Sequence, residues 1–472
     1  MKKTFYGLIL FFLAISVGII LVWQSNFSLF HKAVPEKSKV PQASLDSKQI
    51  KEKPKDELSK NSNNNKVGKT EKDSLPVSKK LAPPPGNKIY FGAFPDFGGP
   101  EDKVTAQEIE AFNKLTGKRI FWAYFSNNWG KDGVKFPREK VETIASSGSV
   151  PYVRMMPRRI FDTAYDKTFS LQKIIDGKFD TELHQYARDV KDYGKMILMD
   201  FGVEMNGNWF PWSGAVNGGG VKNKYGDPQK ADGPERFVDA YRHIVDIFRE
   251  EKADNVTWFF HPDIYSNPEV RWNEAQNYYP GDEYVDWVGI SAYGPQTPEE
   301  DYWDTFPQIM RDAQSWIKEI AQRKPLALLE FGVTDHHPLG KKSDWLAGAF
   351  RYILNENSPL QFRAISYWHE NWEEDDDLWA TLRLDSSPAA LAVFRKHIAN
   401  ERFLGGKDKF DQEKNEKLKQ CPQEWIVNKM PGVYDSGGRR EYFIFNGQRR
   451  ELTEFDLDWI KANCQVKKQE VW

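Results

Sequence analysis

A closed (β/α)8 TIM barrel is the fold this sequence predicts, preceded by a membrane or signal segment and followed by a small module. Three observations carry that reading. Eight short apolar runs recur between residues 88 and 400, amphipathic stretches separate most of them, and no Gly-rich dinucleotide or phosphate turn follows an early run. Continuous apolar runs imply strands buried on both faces, and strands that alternate with amphipathic helices pair in parallel. Eight such units suit a closed barrel. A doubly wound open sheet is the alternative, and it would want the missing turn.

Residues 1–30 carry Lys2 and Lys3 and then an apolar run from Tyr6 to Trp23. About 20 apolar residues span a bilayer and signal-peptide cores are shorter, so this run falls between the two classes. No small-x-small cleavage site follows, which favours an uncleaved signal anchor over a cleaved signal peptide. Either way the rest of the chain is expected outside the cytoplasm, membrane-anchored or secreted. Residues 31–87 contain no aromatic side chain and are rich in Lys, Ser, Asn, Glu and Pro. Such a segment buries too little surface to offset its ordering entropy, so a disordered linker is expected there.

The predicted strands are 88–95, 119–125, 150–156, 196–203, 255–261, 284–293, 325–331 and 362–369. Helix-like stretches at 104–115, 137–147, 235–251, 303–322, 344–355 and 388–400 separate most of them. Residues 88–400 are therefore one barrel domain. Residues 401–472 begin as a charged, helix-like linker (401–420), continue through a hairpin signal at Tyr442–Gly447 and end with an amphipathic helix near 453–463. Cys421 and Cys464, the two cysteines of the chain, both lie in this stretch. In an exported protein they read as one disulfide that staples the module.

The chain holds 66 basic and 68 acidic residues, which supplies no basic surface for nucleic acid. Aromatic residues make up 14% of the chain, with 17 tryptophans, several of them in Gly/Pro/Asn-rich loops. Flat sugar faces stack on such rings, so the excess leans toward carbohydrate. The His336-His337 pair and the acidic run from Glu373 to Asp377 read as loop features rather than metal sites, and no cofactor is implied.

Two motifs carry chemistry. Gly202-Val203-Glu204-Met205-Asn206-Gly207-Asn208-Trp209-Phe210-Pro211-Trp212 places Glu204 at the end of the fourth strand, and Leu328-Leu329-Glu330-Phe331-Gly332 places Glu330 at the end of the seventh. Barrel enzymes build their sites at those strand ends. Two carboxylates across a barrel mouth are the equipment for cleaving a glycosidic bond, and a separation of about 5–5.5 Å means retention through a covalent glycosyl-enzyme. Arg154, ending strand three, is placed to stabilise an ionised Glu330. His261 and His369 end strands five and eight at the predicted active face, where each is a candidate for substrate contact, with a structural hydrogen bond as the alternative.

On those motifs residues 88–400 resemble glycoside hydrolase family 26, which comprises β-mannanases and some β-glucanases and xylanases. The resemblance implies Glu204 as acid/base, Glu330 as nucleophile and Tyr293 as the hydrogen-bond donor to that nucleophile. It also implies Trp209 as a subsite aromatic and Trp368 as the platform under the sugar being cleaved. Asn206 and Trp212, in the same motif as Glu204, join the expected substrate-binding set. One position departs: the mannanases usually carry histidine before the acid/base, and here it is Val203. The expected activity is retaining endo-hydrolysis of a β-1,4-linked polysaccharide, mannan or glucomannan first. The alternatives are a β-glucanase or xylanase on the same fold, or a non-catalytic carbohydrate-binding wall protein.

Overall fold

The computed structural model describes residues 80–130, 132–159, 163–375, 378–406, 420–428, 440–452 and 455–471. The expected signal segment (1–30) and most of the expected linker lie outside the described residues. Among the described residues no helix is long and apolar enough to cross a membrane.

Eight parallel strands form the barrel: β1 (Ile89–Phe94), β2 (Trp122–Asn128), β3 (Val150–Met156), β4 (Ile197–Phe201), β5 (Val256–Phe260), β6 (Trp287–Tyr293), β7 (Leu326–Gly332) and β8 (Phe362–Trp368). They pair in sequence order, and β8 returns to β1 with Tyr90 opposite Ala364 and Phe94 opposite Trp368, which closes the sheet. The outer helices are α1 (Ala106–Thr116), α2 (Arg138–Ser146), α3 (Leu171–Ile175), α4 (Asp180–Tyr193), α5 (Asp232–Glu250), α6 (Phe306–Ile320), α7 (Lys342–Leu354) and α8 (Pro388–Ile398). Each buries one stripe against the strands. In α6 the buried positions are Phe306, Ile309, Met310, Ala313, Ile317 and Ile320, the three-to-four spacing of a single helix face. A capping box between Thr305 and Gln308 starts that helix.

One feature of the helical layer differs from the sequence reading. The β3–β4 crossover holds α3 and α4, although no helix was assigned to it. In α4 the buried Leu183, Tyr186, Ala187 and Val190 keep helical spacing, but six charged residues dilute the pattern over Asp180–Tyr193. The β5–β6 crossover, in contrast, contains two 3-10 turns (Arg271–Asn273 and Ala275–Tyr278) and no α-helix. The second strand also starts later than expected, because Asn113 Oδ1 captures the backbone N–H of Ile120 at 3.0 Å.

The barrel reaches further in both directions than the 88–400 boundary. Leu81 is buried; its N–H donates to Thr257 Oγ1 (2.8 Å) and its carbonyl accepts from Trp287 Nε1 (3.0 Å). Residues 80–87, read as linker, therefore pack on the ends of β5 and β6 where those strands begin. An apolar side chain and two backbone bonds offset the ordering entropy that composition alone left unopposed. After β8 comes the antiparallel hairpin of β9 (Asn371–Asp375) and β10 (Leu378–Thr381). Then β11 (Phe403–Leu404) adds in parallel to the other edge of β1, so residues assigned to the C-terminal module also belong to the barrel sheet.

The module itself is a four-stranded sheet of β12 (Glu424–Asn428), β13 (Arg440–Phe445), β14 (Gln448–Glu451) and β15 (Lys468–Val471), in the order β14-β13-β12-β15, with helix α9 (Leu457–Asn463). Asn446 (φ 51°) and Gly447 (φ 72°) make the tight turn between β13 and β14, where two left-handed residues match the twist of a hairpin. Trp425, Phe443, Phe455 and Ile460 form a core separate from that of the barrel. Cys421 and Cys464 are bonded, 43 residues apart. For a closed span of that length the chain-entropy argument gives about 4 kcal/mol. The double variant Cys421→Ser/Cys464→Ser should therefore speed hydrogen exchange in β12 and β13 while β1–β8 keep their protection. Unchanged exchange in β12 and β13 would show that the staple contributes little.

Candidate active site

Beyond Phe201, the last residue of β4, the chain leaves the sheet through left-handed backbone at Gly202 (φ 64°) and Glu204 (φ 54°). A Cβ on Gly202 would lie 2.8 Å from Phe237 and 3.1 Å from Trp212, so glycine is required there for space as well as for φ. Glu204 holds its conformation without that freedom, at a cost of about 1–2 kcal/mol. Its N–H donates to the His261 carbonyl (2.7 Å) and its carbonyl accepts from Gly207 N (2.9 Å). The turn aims the side chain inward, where Oε2 accepts from Trp209 Nε1 at 3.0 Å. Glu204 is 8% exposed and Trp209 37%. Burial first, then the negative charge of Glu330, raises the Glu204 carboxyl above the ordinary range; Ser291, His261 and Arg154 oppose this.

Glu330 lies within β7 and is 4% exposed. Its Oε2 accepts from the Tyr293 hydroxyl at 2.7 Å, and its Oε1 accepts from the Tyr124 hydroxyl. Arg154 Nη1 is 3.8 Å from Oε1. Burial and the charge of Glu330 push both phenols well above their ordinary range, so they stay protonated and donate. Arg154 itself is fixed on several sides. Its guanidinium lies 5.2 Å from the Tyr124 ring centroid and 5.0 Å from that of Trp368, and Nη1 is 3.5 Å from Glu101 Oε2. Burial alone would raise Glu101, but Arg154, Arg158 and the Ser126 hydroxyl together hold it below the usual carboxylate range.

Beneath the pair runs a buried polar chain across three strands. The Tyr152 hydroxyl donates to Asp200 Oδ2 (3.2 Å), the same oxygen is 2.9 Å from His261 Nδ1, and His261 Nε2 is 3.0 Å from Ser291 Oγ. His261 Nε2 also lies 4.0 Å from Glu330 Oε1.

The structure thus brings Glu204, Glu330, Tyr293, Trp209, Arg154 and Trp368 into one site. Four expected substrate contacts are otherwise engaged. His261 spends both ring nitrogens on Asp200 and Ser291. His369 is buried, accepts from Leu384 N (3.0 Å) at Nδ1, and burial pushes it down to about 3. Trp212 is buried, donates to the Val203 carbonyl (2.7 Å) and stacks on Phe210 with centroids 4.5 Å apart. Asn206 uses its amide to pin the loop after β5: Oδ1 accepts from Asp263 N (3.0 Å) and Nδ2 donates to the Asp263 carbonyl (3.0 Å) and to Ser266 Oγ (3.2 Å). Trp368 is largely covered, with Phe94 stacked on it at 4.2 Å.

Several site residues escaped the sequence reading. Tyr124, Asp200 and Ser291 sit inside apolar strands, where position in the run does not reveal which face they take. Asp263 follows His261 and Pro262 at the end of β5. Burial, and then the charge of Glu204, raises it well above the ordinary carboxylate range. Glu370, directly after the Trp368-His369 pair at the end of β8, is pushed up to about 8 by burial and then by Glu101 and Asp96. For both acids, an acidic residue within two positions of the end of a predicted strand was the available signal. Among the described residues no group of three or more His, Cys, Asp or Glu is arranged to hold a metal.

Residues 162–323 match the model of a family described as glycosyl hydrolase family 26. Endoglucanase H of Acetivibrio thermocellus is 29% identical over 292 residues, covering 61% of this chain and 29% of that protein. Mannan endo-1,4-beta-mannosidase A and B of Caldalkalibacillus mannanilyticus is 29% identical over 190 residues, 39% of this chain and 30% of that protein. This chain therefore spans less than a third of either relative. The catalytic domain of a Bacillus sp. JAMB-750 GH26 endo-beta-1,4-mannanase superposes with a TM-score of 0.48 at 16% identity, over 67% of this chain and 87% of that one. The barrel assignment rests on the closed strand order itself. The likeness to glycosyl hydrolase family 26 thus covers residues 162–323, from the β3–β4 crossover to the end of the crossover before β7.

Proposed function

We propose that this chain is a retaining endo-β-glycosidase acting on a β-1,4-linked polysaccharide, mannan or glucomannan first. The observation that carries the reading is the different surroundings of two buried carboxyls within one site. Glu204, raised by burial and by Glu330, is kept as a proton donor. Glu330 is met by two hydroxyl donors and a guanidinium, contacts that suit an attacking carboxylate. In the first step Glu330 attacks the anomeric carbon while Glu204 protonates the departing glycosidic oxygen. Water activated by the Glu204 carboxylate then hydrolyses the glycosyl ester. Trp209, part-exposed beside Glu204, supplies a stacking surface for a neighbouring sugar.

A β-glucan is the second substrate class. The similarity to the endoglucanase covers more of this chain than that to the mannosidase. Val203, moreover, is buried and offers no side-chain donor at the sugar beside the scissile bond. The apolar run at Tyr6–Trp23 supports an extracytoplasmic enzyme, membrane-anchored or secreted.

Reducing-sugar release from mannan, glucomannan, mixed-linkage glucan and xylan tests both the activity and the sugar. Proton NMR of the first product should show the β-anomer before mutarotation. An α-anomer would exclude the covalent route, and silence on all four polymers would exclude the proposed substrate class.

A further inference from the structure

Glu101, in the loop after β1, has no part in the proposed function, yet donors from two strands and beyond converge on its carboxylate. Oε2 accepts from the Ser126 hydroxyl of β2 and from Arg158 Nη2 (3.3 Å), and Arg154 Nη1 of β3 lies 3.5 Å away. Ser126 N also donates to the Glu101 carbonyl (3.0 Å). Arg158 is fixed in turn: its Nε donates to Asn128 Oδ1 (2.6 Å), and its guanidinium lies 5.4 Å from the Phe210 ring centroid. Glu101 is therefore anchored independently of Glu330. Arg154 Nη1 is in ion-pair reach of both acids, 3.5 Å from Glu101 Oε2 and 3.8 Å from Glu330 Oε1. It is buried and hydrogen-bonds to no acceptor among the described residues. A shift of about 0.5–1 Å would complete a hydrogen bond to either acid. One cation thus serves two carboxylates.

We infer that Glu101 is a positioning residue for the nucleophile, keeping Arg154 paired while the charge of Glu330 is consumed in the glycosyl ester. This rests on the proposed role of Glu330. In the first step a Glu330 oxygen bonds the anomeric carbon and the glycosidic C–O bond breaks. Its electron pair leaves on the aglycone oxygen, which takes the Glu204 proton. Glu330 is then a neutral ester, and of the two carboxylates in reach of Arg154 only Glu101 remains. A buried cation without a counter-ion is costly, and Glu101 prevents that state. In the second step the water oxygen bonds the anomeric carbon and a water proton goes to Glu204. The ester C–O pair returns to Glu330 as a carboxylate, and Arg154 is shared again. Without the Glu101 charge, Arg154 would hold Glu330 alone, resist formation of the ester and favour its release. The charge of Glu101 therefore assists the first step more than the second.

The test is Glu101→Gln in the full chain, which keeps the shape and an acceptor for Ser126 and Arg158 but removes the charge. The probes are aryl β-mannobiosides and β-cellobiosides in which fluorine replaces the hydroxyl next to the anomeric carbon. They form the glycosyl ester and release it slowly, so mass spectrometry of the intact protein reads the two steps separately. On the wild type the adduct should map to Glu330. In Glu101→Gln ester formation should slow by about 10- to 100-fold, and ester hydrolysis should change by clearly less. Glu101→Asp, which keeps the charge but draws it back, should show the same asymmetry by less, and it carries the test if Glu101→Gln does not fold. Equal slowing of both steps would mean a merely structural glutamate. Unchanged rates, or a change in probe affinity alone, would mean that Arg154 does not depend on this charge. Each of those results overturns the inference. A wild type that forms no adduct, or forms it on another residue, would defeat the functional reading itself and this inference with it.

Discussion

Glu330→Gln is expected to abolish polymer hydrolysis, with kcat/KM reduced by roughly 10⁴-fold or more, as for loss of a covalent nucleophile. The amide cannot form the glycosyl ester, yet it nearly preserves volume; its oxygen can accept from one of the Tyr124 and Tyr293 hydroxyls while its NH2 donates to the oxygen of the other. The fold should therefore survive, and circular dichroism with a thermal melt will show whether it does. A stronger test uses Glu330→Ala and an aryl β-glycoside with a good leaving group. The shortened side chain leaves room for azide to attack the anomeric carbon from the nucleophile's face, giving an α-glycosyl azide. Near-full hydrolysis by either variant, or a β-azide from the alanine variant, would remove Glu330 from the nucleophile's role.

The second large effect belongs to Glu204. Glu204→Gln should lower kcat/KM on polysaccharide by about 10²–10⁴-fold, the usual contribution of a positioned general acid. Aryl glycosides separate the two halves of its work. A good leaving group departs without a proton, so kcat/KM on such a substrate should change little. Deglycosylation still needs a base, so kcat falls and a burst of aryl alcohol appears. The pH dependence has a defined sign. Burial and Glu330 raise the Glu204 carboxyl, so the protonated, active acid persists to higher pH than a free glutamate would allow. The basic limb of the wild-type profile reports its loss and should vanish in Glu204→Gln on aryl glycosides. A basic limb unchanged in that variant would assign it to another group, with Asp263 and Glu370 next in line.

Much of this site was legible before any coordinates. Glycine beside Glu204 and Glu330, and aromatic residues after them, mark places where a strand gives way to a loop, and a carboxylate in such a place faces the barrel mouth. Arg154 was legible for the same reason, since it ends an apolar run, whereas Tyr293 was implied by the family resemblance. The histidines left two readings open for an instructive reason. His261 and His369 also end strands, but a ring nitrogen is satisfied equally well by a sugar hydroxyl or by a neighbouring side chain or N–H. Asp200 and Leu384 occupy them here, and no spacing in the sequence records that. Trp212 and Asn206 share a motif with Trp209, yet the left-handed turn at Gly202 and Glu204 sends Trp209 to the cleft and turns the other two inward.

What the sequence determined by itself was local and periodic. It set the alternation that makes strands and helices, the eight-unit count that closes the sheet, the two cysteines of one module and the glutamates at strand ends. What only the tertiary structure decided was pairing. Tyr124 reaches Glu330 across 206 residues, Asp200 reaches His261 across 61, and Leu81 seals strands that begin far along the chain. The physical reason is that periodicity reports which side of an element is buried, whereas hydrogen bonds and charge depend on what lies opposite. In a closed barrel, what lies opposite comes from another strand.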